Sequence, residues 1–285
     1  MRQRFVNCLS PAGFHRMAYV EWGDPANPRV LVCVHGLTRT GRDFDYLARA
    51  LADDYRVVCP DVAGRGASDR LRDPMLYATP QYAQDMAALL ARLDVESVDW
   101  LGTSMGGIIG MALAAQQGTP IRKLILNDVG PVVAAAALAR IGAYLAAAPD
   151  FADLREAEIC MRATFAPFGP HSDAQWRELT EHVVKPGANG RLALHYDPGI
   201  AMAFAAALAA LGEGKDMELW PLYDAIRCPT LAIRGERSDL LTRDTLAAMA
   251  QRGPRAQTAE VAGVGHAPTF MHDAQVALVR EFLRS

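Results

Sequence analysis

Apolar residues follow two alternating patterns along the first half of the chain. Residues 30–34 are a continuous β-branched run, as expected of a strand buried on both faces of a sheet, and residues 56–59 indicate a second buried strand. Two further strands are predicted at residues 97–101 and 123–127. Three intervening stretches repeat apolar positions every three or four residues, as amphipathic helices do: residues 43–51, 81–93 and 106–117. This alternation predicts parallel strands that are connected by covering helices.

Further elements extend this framework at both ends. Residues 4–9 and 15–22 indicate a hairpin around the turn Ser10-Pro11-Ala12-Gly13. Near the C-terminus, strands and helices alternate again: residues 230–234, 243–251, 257–261 and 273–283. We therefore predict an α/β fold with a mostly parallel central sheet of about eight strands, flanked by helices.

A long interruption separates the two halves of this pattern. Residues 129–228 contain helical stretches, several prolines and no convincing strand. A single crossover typically needs one helix, and this segment is too long for that. We predict a helical cap, or lid, over residues 129–228, and a core of residues 1–128 and 229–285. The alternative is that these helices simply flank the sheet.

Composition narrows the classes of protein that remain. The 285 residues are 51% hydrophobic and 21% charged, which excludes a disordered chain. The 29 basic and 32 acidic residues give a net charge of −3, so charge offers no argument for a nucleic-acid or membrane partner. Five cysteines, with no CxxC pair, indicate reduced structural thiols. With no secretory signal visible at the N-terminus, we expect a cytoplasmic protein.

The segment Gly102-Thr103-Ser104-Met105-Gly106 matches the pattern G-x-S-x-G. It follows a predicted strand and begins a predicted helix, which is the context that the pattern requires for a nucleophilic serine. The strained turn lifts the Ser104 hydroxyl above the sheet. The flanking glycines remove side chains that would clash there, and the helix N-terminus directs N–H groups toward developing negative charge.

A serine nucleophile needs a base, and seven histidines are available. His266 follows a late strand in the turn Gly263-Val264-Gly265-His266, at the carboxyl end of the sheet where α/β folds keep their sites. His272 at the last helix and His195 in the insertion are weaker candidates. His266 is the predicted general base.

The base needs a carboxylate to orient it. Asp239, in Ser238-Asp239, follows the strand at 230–234 and is the predicted acid, although it could instead cap a helix. Asp128, after the strand at 123–127, is the alternative. Either choice gives the chain order Ser, Asp, His.

With His35-Gly36, Pro60-Asp61 and the stretch Gly64-x-Gly66-x-Ser68, these motifs resemble the α/β-hydrolase superfamily over nearly the whole chain. The resemblance implies that the backbone N–H groups of Leu37 and Met105 form an oxyanion hole. It also implies that His35 is structural. The stretch that ends at Ser68 lacks the lysine and the spacing of a phosphate-binding loop.

The resemblance implies a serine hydrolase that cleaves carboxylic esters, preferentially short-chain ones, with no metal and no organic cofactor. Lactonases and carbon–carbon bond hydrolases can carry the same triad, and some relatives are non-enzymatic ligand receptors. The expected partner is a small-molecule ester, and the expected state is a monomer or homodimer. Six side chains could line a substrate pocket or simply pack the cap onto the core: Met161, Phe165, Phe168, Met202, Phe204 and Trp220.

Overall fold

The computed structural model describes residues 1–187 and 190–285. The strands and helices of the first half follow in the predicted order. They are β1 (Arg2–Ser10), β2 (Gly13–Trp22), β3 (Val30–Val34), α1 (Asp45–Leu51), β4 (Arg56–Pro60), α2 (Thr79–Arg92), β5 (Val98–Thr103), α3 (Met105–Ala114) and β6 (Ile121–Asn127). All five residues of β3 and the first five of β5 are buried, and in β3 this explains the continuous apolar run.

The segment after β6 contains more than helices. Its elements are β7 (Val132–Val133), α4 (Ala135–Ala147), β8 (Asp150–Phe151), α5 (Leu154–Thr164), α6 (Asp173–Glu181), β9 (Val184–Pro186), β10 (Leu192–Leu194), α7 (Gly199–Leu211), β11 (Met217–Glu218) and α8 (Trp220–Ala225). The expectation of no strand in this segment is wrong. These strands have only two or three residues, too few for a periodic pattern to be visible in the sequence.

The chain then returns to the main sheet through β12 (Thr230–Gly235), α9 (Arg243–Met249), β13 (Gln257–Val261) and α10 (Asp273–Arg284). In the described residues the main sheet has eight strands, in the order β1-β2-β4-β3-β5-β6-β12-β13. The two pairings that involve β2 are antiparallel and the others are parallel. The predicted fold class is confirmed.

Short strands of the insertion pair with one another. β10 lies between β8 and β9 in a small antiparallel sheet, and β11 pairs with β7. The β7–β11 pair brings the two ends of the insertion together, with Met217 opposite Val133. The division at residues 129 and 228 stays a prediction. Among the described helices, none combines the length and apolar character that crossing a bilayer requires.

The register of the sheet aligns the ends of three neighbouring strands. Thr103 at the end of β5 is opposite Asn127 at the end of β6, and Asn127 is opposite Ile233 in β12. Ser104 and Asp128 therefore leave the sheet side by side at its carboxyl edge. The loop after β13, which carries His266, returns to the same edge.

Candidate active site

Ser104 sits on a strained turn between β5 and α3. Its backbone has φ 52° and ψ −116°, a conformation that side-chain-bearing residues rarely adopt. A Cβ atom on Gly106 would lie 2.0 Å from the Val34 carbonyl oxygen, and one on Gly102 would lie 2.2 Å from the Gly106 carbonyl carbon. Only glycine allows the strand and helix to approach so closely on either side of the serine.

The Ser104 hydroxyl contacts one histidine. The distance from Ser104 Oγ to His266 Nε2 is 3.1 Å, within hydrogen-bonding reach. The His266 side chain is 17% exposed, so the imidazole is mostly enclosed. Of the competing histidines, His272 lies just before α10 with its ring near that of His171, while the carbonyl of His195 accepts a hydrogen bond from the Gly66 N–H.

The carboxylate beside His266 belongs to Asp128. Asp128 Oδ2 lies 2.7 Å from His266 Nδ1, and the aspartate is fully buried. Its Oδ1 accepts a hydrogen bond from the Gly235 N–H at 2.7 Å, and its Oδ2 accepts one from the Ser238 hydroxyl at 2.6 Å. The charge is therefore removed from solvent and held by donors on β12 and the turn after it.

The structure contradicts the expected contact between Asp239 and His266. Asp239 is 54% exposed at its side chain, and Arg140 of α4 donates two hydrogen bonds to it, at 2.9 and 3.0 Å. Its neighbour Ser238 instead points inward to Asp128. Sequence reasoning missed the role of Ser238. No signal in the segment itself identifies it, because side-chain direction in a turn does not follow the alternation of a strand.

Ser238 also organises its own turn. Its hydroxyl oxygen accepts hydrogen bonds from the N–H groups of Leu240 and Leu241, at 3.1 and 3.2 Å, while the hydroxyl proton goes to Asp128. This arrangement fixes both the direction of the hydroxyl and the position of the turn.

The loop after β3 crosses above the serine. A Cβ on Gly36 would lie 3.7 Å from the Ser104 Cβ, and Leu37, Ser104 and Met105 line one cavity. Across the described residues, neither the Leu37 nor the Met105 N–H donates a hydrogen bond. Both groups are thus free to donate to an oxygen placed above Ser104.

His35 holds this loop from below. It is fully buried; Nδ1 donates to the Gly36 carbonyl at 2.7 Å, and Nε2 accepts from the Val62 N–H at 2.9 Å. Burial lowers the pKa of His35 to about 3, so the side chain is neutral at ordinary pH. A neutral imidazole with both nitrogens engaged has a structural role.

The cavity above Ser104 has a volume of about 540 Å³. Its walls come from residues 75–82, the start of α3, the apolar faces of α4 and α7, and Met217 of β11. The Tyr77 hydroxyl already donates to Asp197, and the Tyr82 hydroxyl accepts from Arg65. The wall is therefore largely apolar around the serine, typical of a site for an uncharged ligand.

Of the six aromatic and methionine side chains expected in the pocket, only Phe204 is among the described residues that line this cavity. Met202, on the same helix, is 61% exposed. Trp220 packs beneath the Arg252 guanidinium, 4.0 Å from the ring centroid. Their placement depends on how the insertion helices rotate against the core, which periodicity alone does not determine.

The remaining three pack inside the insertion or against the core. Met161 is 2% exposed within the hydrophobic core. Phe165 and Phe168 stack on each other at 4.9 Å between ring centroids, and the Arg39 guanidinium lies over both rings. The alternative expectation, packing of the cap onto the core, describes these residues.

A family model described as the alpha/beta hydrolase family matches residues 31–280. The chain belongs to this family. It is 54% identical over 284 residues to a 3-hydroxybutyrate-oligomer hydrolase of Cupriavidus necator, and the match covers 99% of this chain and 97% of that protein.

Two solved structures of hydrolases resemble the whole chain. A putative hydrolase from Rickettsia typhi is 32% identical with a TM-score of 0.92, covering 100% of this chain and 99% of that one. An α/β hydrolase from Novosphingobium aromaticivorans is 37% identical with a TM-score of 0.85, covering 99% and 98%. The predicted class, a hydrolase of carboxylic esters, is confirmed, and the receptor alternative is set aside.

Proposed function

We propose that Ser104, His266 and Asp128 form the catalytic triad of this ester hydrolase. Ser104 Oγ attacks the ester carbonyl carbon while His266 Nε2 takes its proton, and Asp128 stabilises the resulting imidazolium through Nδ1–H. The N–H groups of Leu37 and Met105 donate to the oxyanion. The tetrahedral intermediate then collapses, the alcohol leaves with the proton from His266, and Ser104 carries the acyl group.

Water completes the reaction. His266 removes a proton from a water molecule, the hydroxide attacks the acyl carbonyl, and the carboxylic acid leaves as the proton returns to Ser104 Oγ. The observation that carries this proposal is the continuous chain of contacts, 3.1 Å from serine to histidine and 2.7 Å from histidine to aspartate, at the wall of one apolar cavity.

We propose oligomers of 3-hydroxybutyrate, or closely similar hydroxyacid oligoesters, as the substrate class. The relative that is 54% identical over almost the full length is named for such oligomers. Their units are joined by ester bonds, and the interior of the chain is uncharged. The largely apolar cavity supports a ligand of that chemistry.

We further propose a cytoplasmic setting, as a monomer or homodimer. All five cysteines are free thiols, and burial raises the pKa of the Cys8 thiol to about 12, which suits a reduced and unreactive side chain. Cell fractionation and size-exclusion chromatography with light scattering test the two parts separately. Recovery outside the cytoplasm or as a larger assembly would contradict the respective part.

The decisive experiment measures acid release from the 3-hydroxybutyrate dimer by the wild type, Ser104→Ala and the exposed-serine control Ser97→Ala. We expect turnover by the wild type and the control, and a fall of at least about 10³-fold in Ser104→Ala. A fluorophosphonate should modify Ser104. Turnover that survives Ser104→Ala contradicts the nucleophile. Preferential hydrolysis of lactones or β-diketones contradicts the substrate class.

A further inference from the structure

A second apolar cavity adjoins the one that holds Ser104. Its volume is about 510 Å³, close to that of the first. The two cavities share four lining residues: Thr79, Pro80, Ile108 and Met217. They therefore adjoin each other, with Met217 between them. An unbranched thioether side chain can change rotamer readily, so this boundary can adapt to a chain that crosses it.

Helix α3 forms a common wall for both cavities. Met105 and Ile108 line the first, and Ile108, Ala112 and Gln116 line the second. The spacing of three to four residues places these positions on one face of the helical segment. At ~1.5 Å of rise per residue, Ala112 lies about 12 Å along the helix from Ser104. The two cavities thus lie one after the other along this helix, and the second is the farther from Ser104.

Small side chains keep the second cavity open. Ala83 of α2 and Ala112 of α3 line it, and both are half-buried. Leucines at 113, 219 and 222 supply much of the remaining surface. The side-chain N–H of Gln116 donates to the Ala112 carbonyl of its own helix. Within the described part of the chain, no charged residue lines this cavity.

We propose that the second cavity binds the distal units of a chain-like ester whose scissile bond lies at Ser104. This inference deepens the proposed function and rests on it. The occupant follows from the position of this cavity directly beside the one that Ser104 lines and from its uncharged walls, which favour the interior of an oligoester over a charged group. The enzyme is thereby an oligomer hydrolase whose preference extends beyond short esters.

The volumes set the expected chain lengths. A repeating unit has about six non-hydrogen atoms, and each cavity, at about 540 and 510 Å³, has room for several such units. Contact with the second cavity should therefore begin only after several units on that side of the scissile bond.

The test compares the 3-hydroxybutyrate hexamer with the dimer as substrates of Ala83→Trp and Ala112→Trp. Each indole would fill part of the second cavity. We expect the hexamer-to-dimer ratio of kcat/KM to fall by about tenfold or more, since each buried methylene contributes about a fourfold gain in binding. Gln84→Trp is the matched control, because Gln84 is exposed on α2 and outside both cavities. Its ratio should equal that of the wild type.

A second measurement needs no variant. Linear 1-alkanols of increasing length should inhibit hydrolysis of a short ester by the wild type with potency that keeps rising after the first cavity is full. An unchanged ratio in folded cavity variants, or potency that stops rising once the first cavity is full, overturns the inference and leaves the proposed function intact. Absence of turnover with dimer and hexamer alike contradicts the proposed function itself.

Discussion

Replacing Asp128 with asparagine tests which carboxylate orients His266. Three donors converge on the Asp128 carboxylate: His266 Nδ1–H and the Ser238 hydroxyl on Oδ2, and the Gly235 N–H on Oδ1. Asparagine has only one side-chain oxygen. If its NH₂ group faces Gly235, two donors oppose each other inside the protein, at a cost of about 1–3 kcal/mol.

The favoured arrangement of the substituted side chain therefore turns its NH₂ group toward His266 and Ser238. The Ser238 hydroxyl then loses its acceptor, and the imidazole must accept at Nδ1 and carry its proton on Nε2. That tautomer cannot take a proton from Ser104. The same exchange in a serine protease triad lowers kcat by about 10⁴-fold, equivalent to about 5.5 kcal/mol of activation free energy, and we expect a loss of that order in Asp128→Asn.

Asp239→Asn is the matched control. Asp239 and its partner Arg140 are 54% and 52% exposed at their side chains, so their ion pair contributes at most about 1 kcal/mol to stability. We expect kcat to stay within about threefold of the wild type, because an exposed pair does not affect the imidazole tautomer. Initial rates on p-nitrophenyl butyrate at pH 8 measure both variants, with circular dichroism to confirm folding. A large loss in Asp239→Asn and retained activity in Asp128→Asn would refute this reasoning.

Three other changes test the structure around the triad. Ser238→Ala should lose about 2 kcal/mol of unfolding free energy in urea melts, because a donor to a buried carboxylate disappears. Gly106→Ala should lose about 3 kcal/mol, since its methyl group would overlap the Val34 carbonyl. Burial lowers the pKa of His35 to about 3 in the folded protein. As the pH falls below 6.5, the histidine therefore becomes protonated in the unfolded chain while it stays neutral in the folded protein. Stability should therefore fall by about 1.4 kcal/mol per pH unit below 6.5, or about 2 kcal/mol at pH 5, and recover as pH rises.

Each of these has its own check. A stability of Ser238→Ala equal to that of the wild type would show that its hydroxyl does not support the buried carboxylate. Gly142→Ala is the control for Gly106, because Gly142 lies inside α4 with its nearest neighbour atom at 3.4 Å; it should gain about 0.5–1 kcal/mol. His35→Gln should reduce the slope of unfolding free energy against pH, between pH 5 and 6.5, by the amount that corresponds to one proton. An unchanged slope would exclude His35 as the source of this pH dependence.

Inner strands of the main sheet could be predicted because burial on both faces requires consecutive apolar residues, and this pattern is visible in the sequence without knowledge of the tertiary structure. Val30–Val34, all five residues of which are buried, has the bounds that the apolar pattern indicates. The proposed nucleophile and base, Ser104 and His266, could also be selected from the sequence. Both lie in turns whose glycines allow the backbone segments to approach closely, and both turns follow strands that the sequence predicts.

The acid could not be chosen in the same way. Asp128 and Asp239 each follow a buried strand, and β6 and β12 are neighbours in the sheet. The choice depends on the direction of one side chain after each strand. Asp128 is at φ 53° and points inward, whereas after β12 it is Ser238, and not Asp239, that points inward. That detail is a property of the assembled edge rather than of either segment.

The β7–β11 pair has a consequence for how such enzymes diversify. Because Val132 and Val133 lie beside Glu218 and Met217, the chain leaves the core and returns to it at one place. Lengthening a loop closed in this way costs little, about 0.6 kcal/mol for each doubling of its length. The segment between the two strands can thus be exchanged or resized while the triad stays fixed. This segment could be exchanged between related enzymes by joining the two chains within the β7–β11 pair. Such an exchange offers a route to new substrate ranges while the main sheet is unchanged.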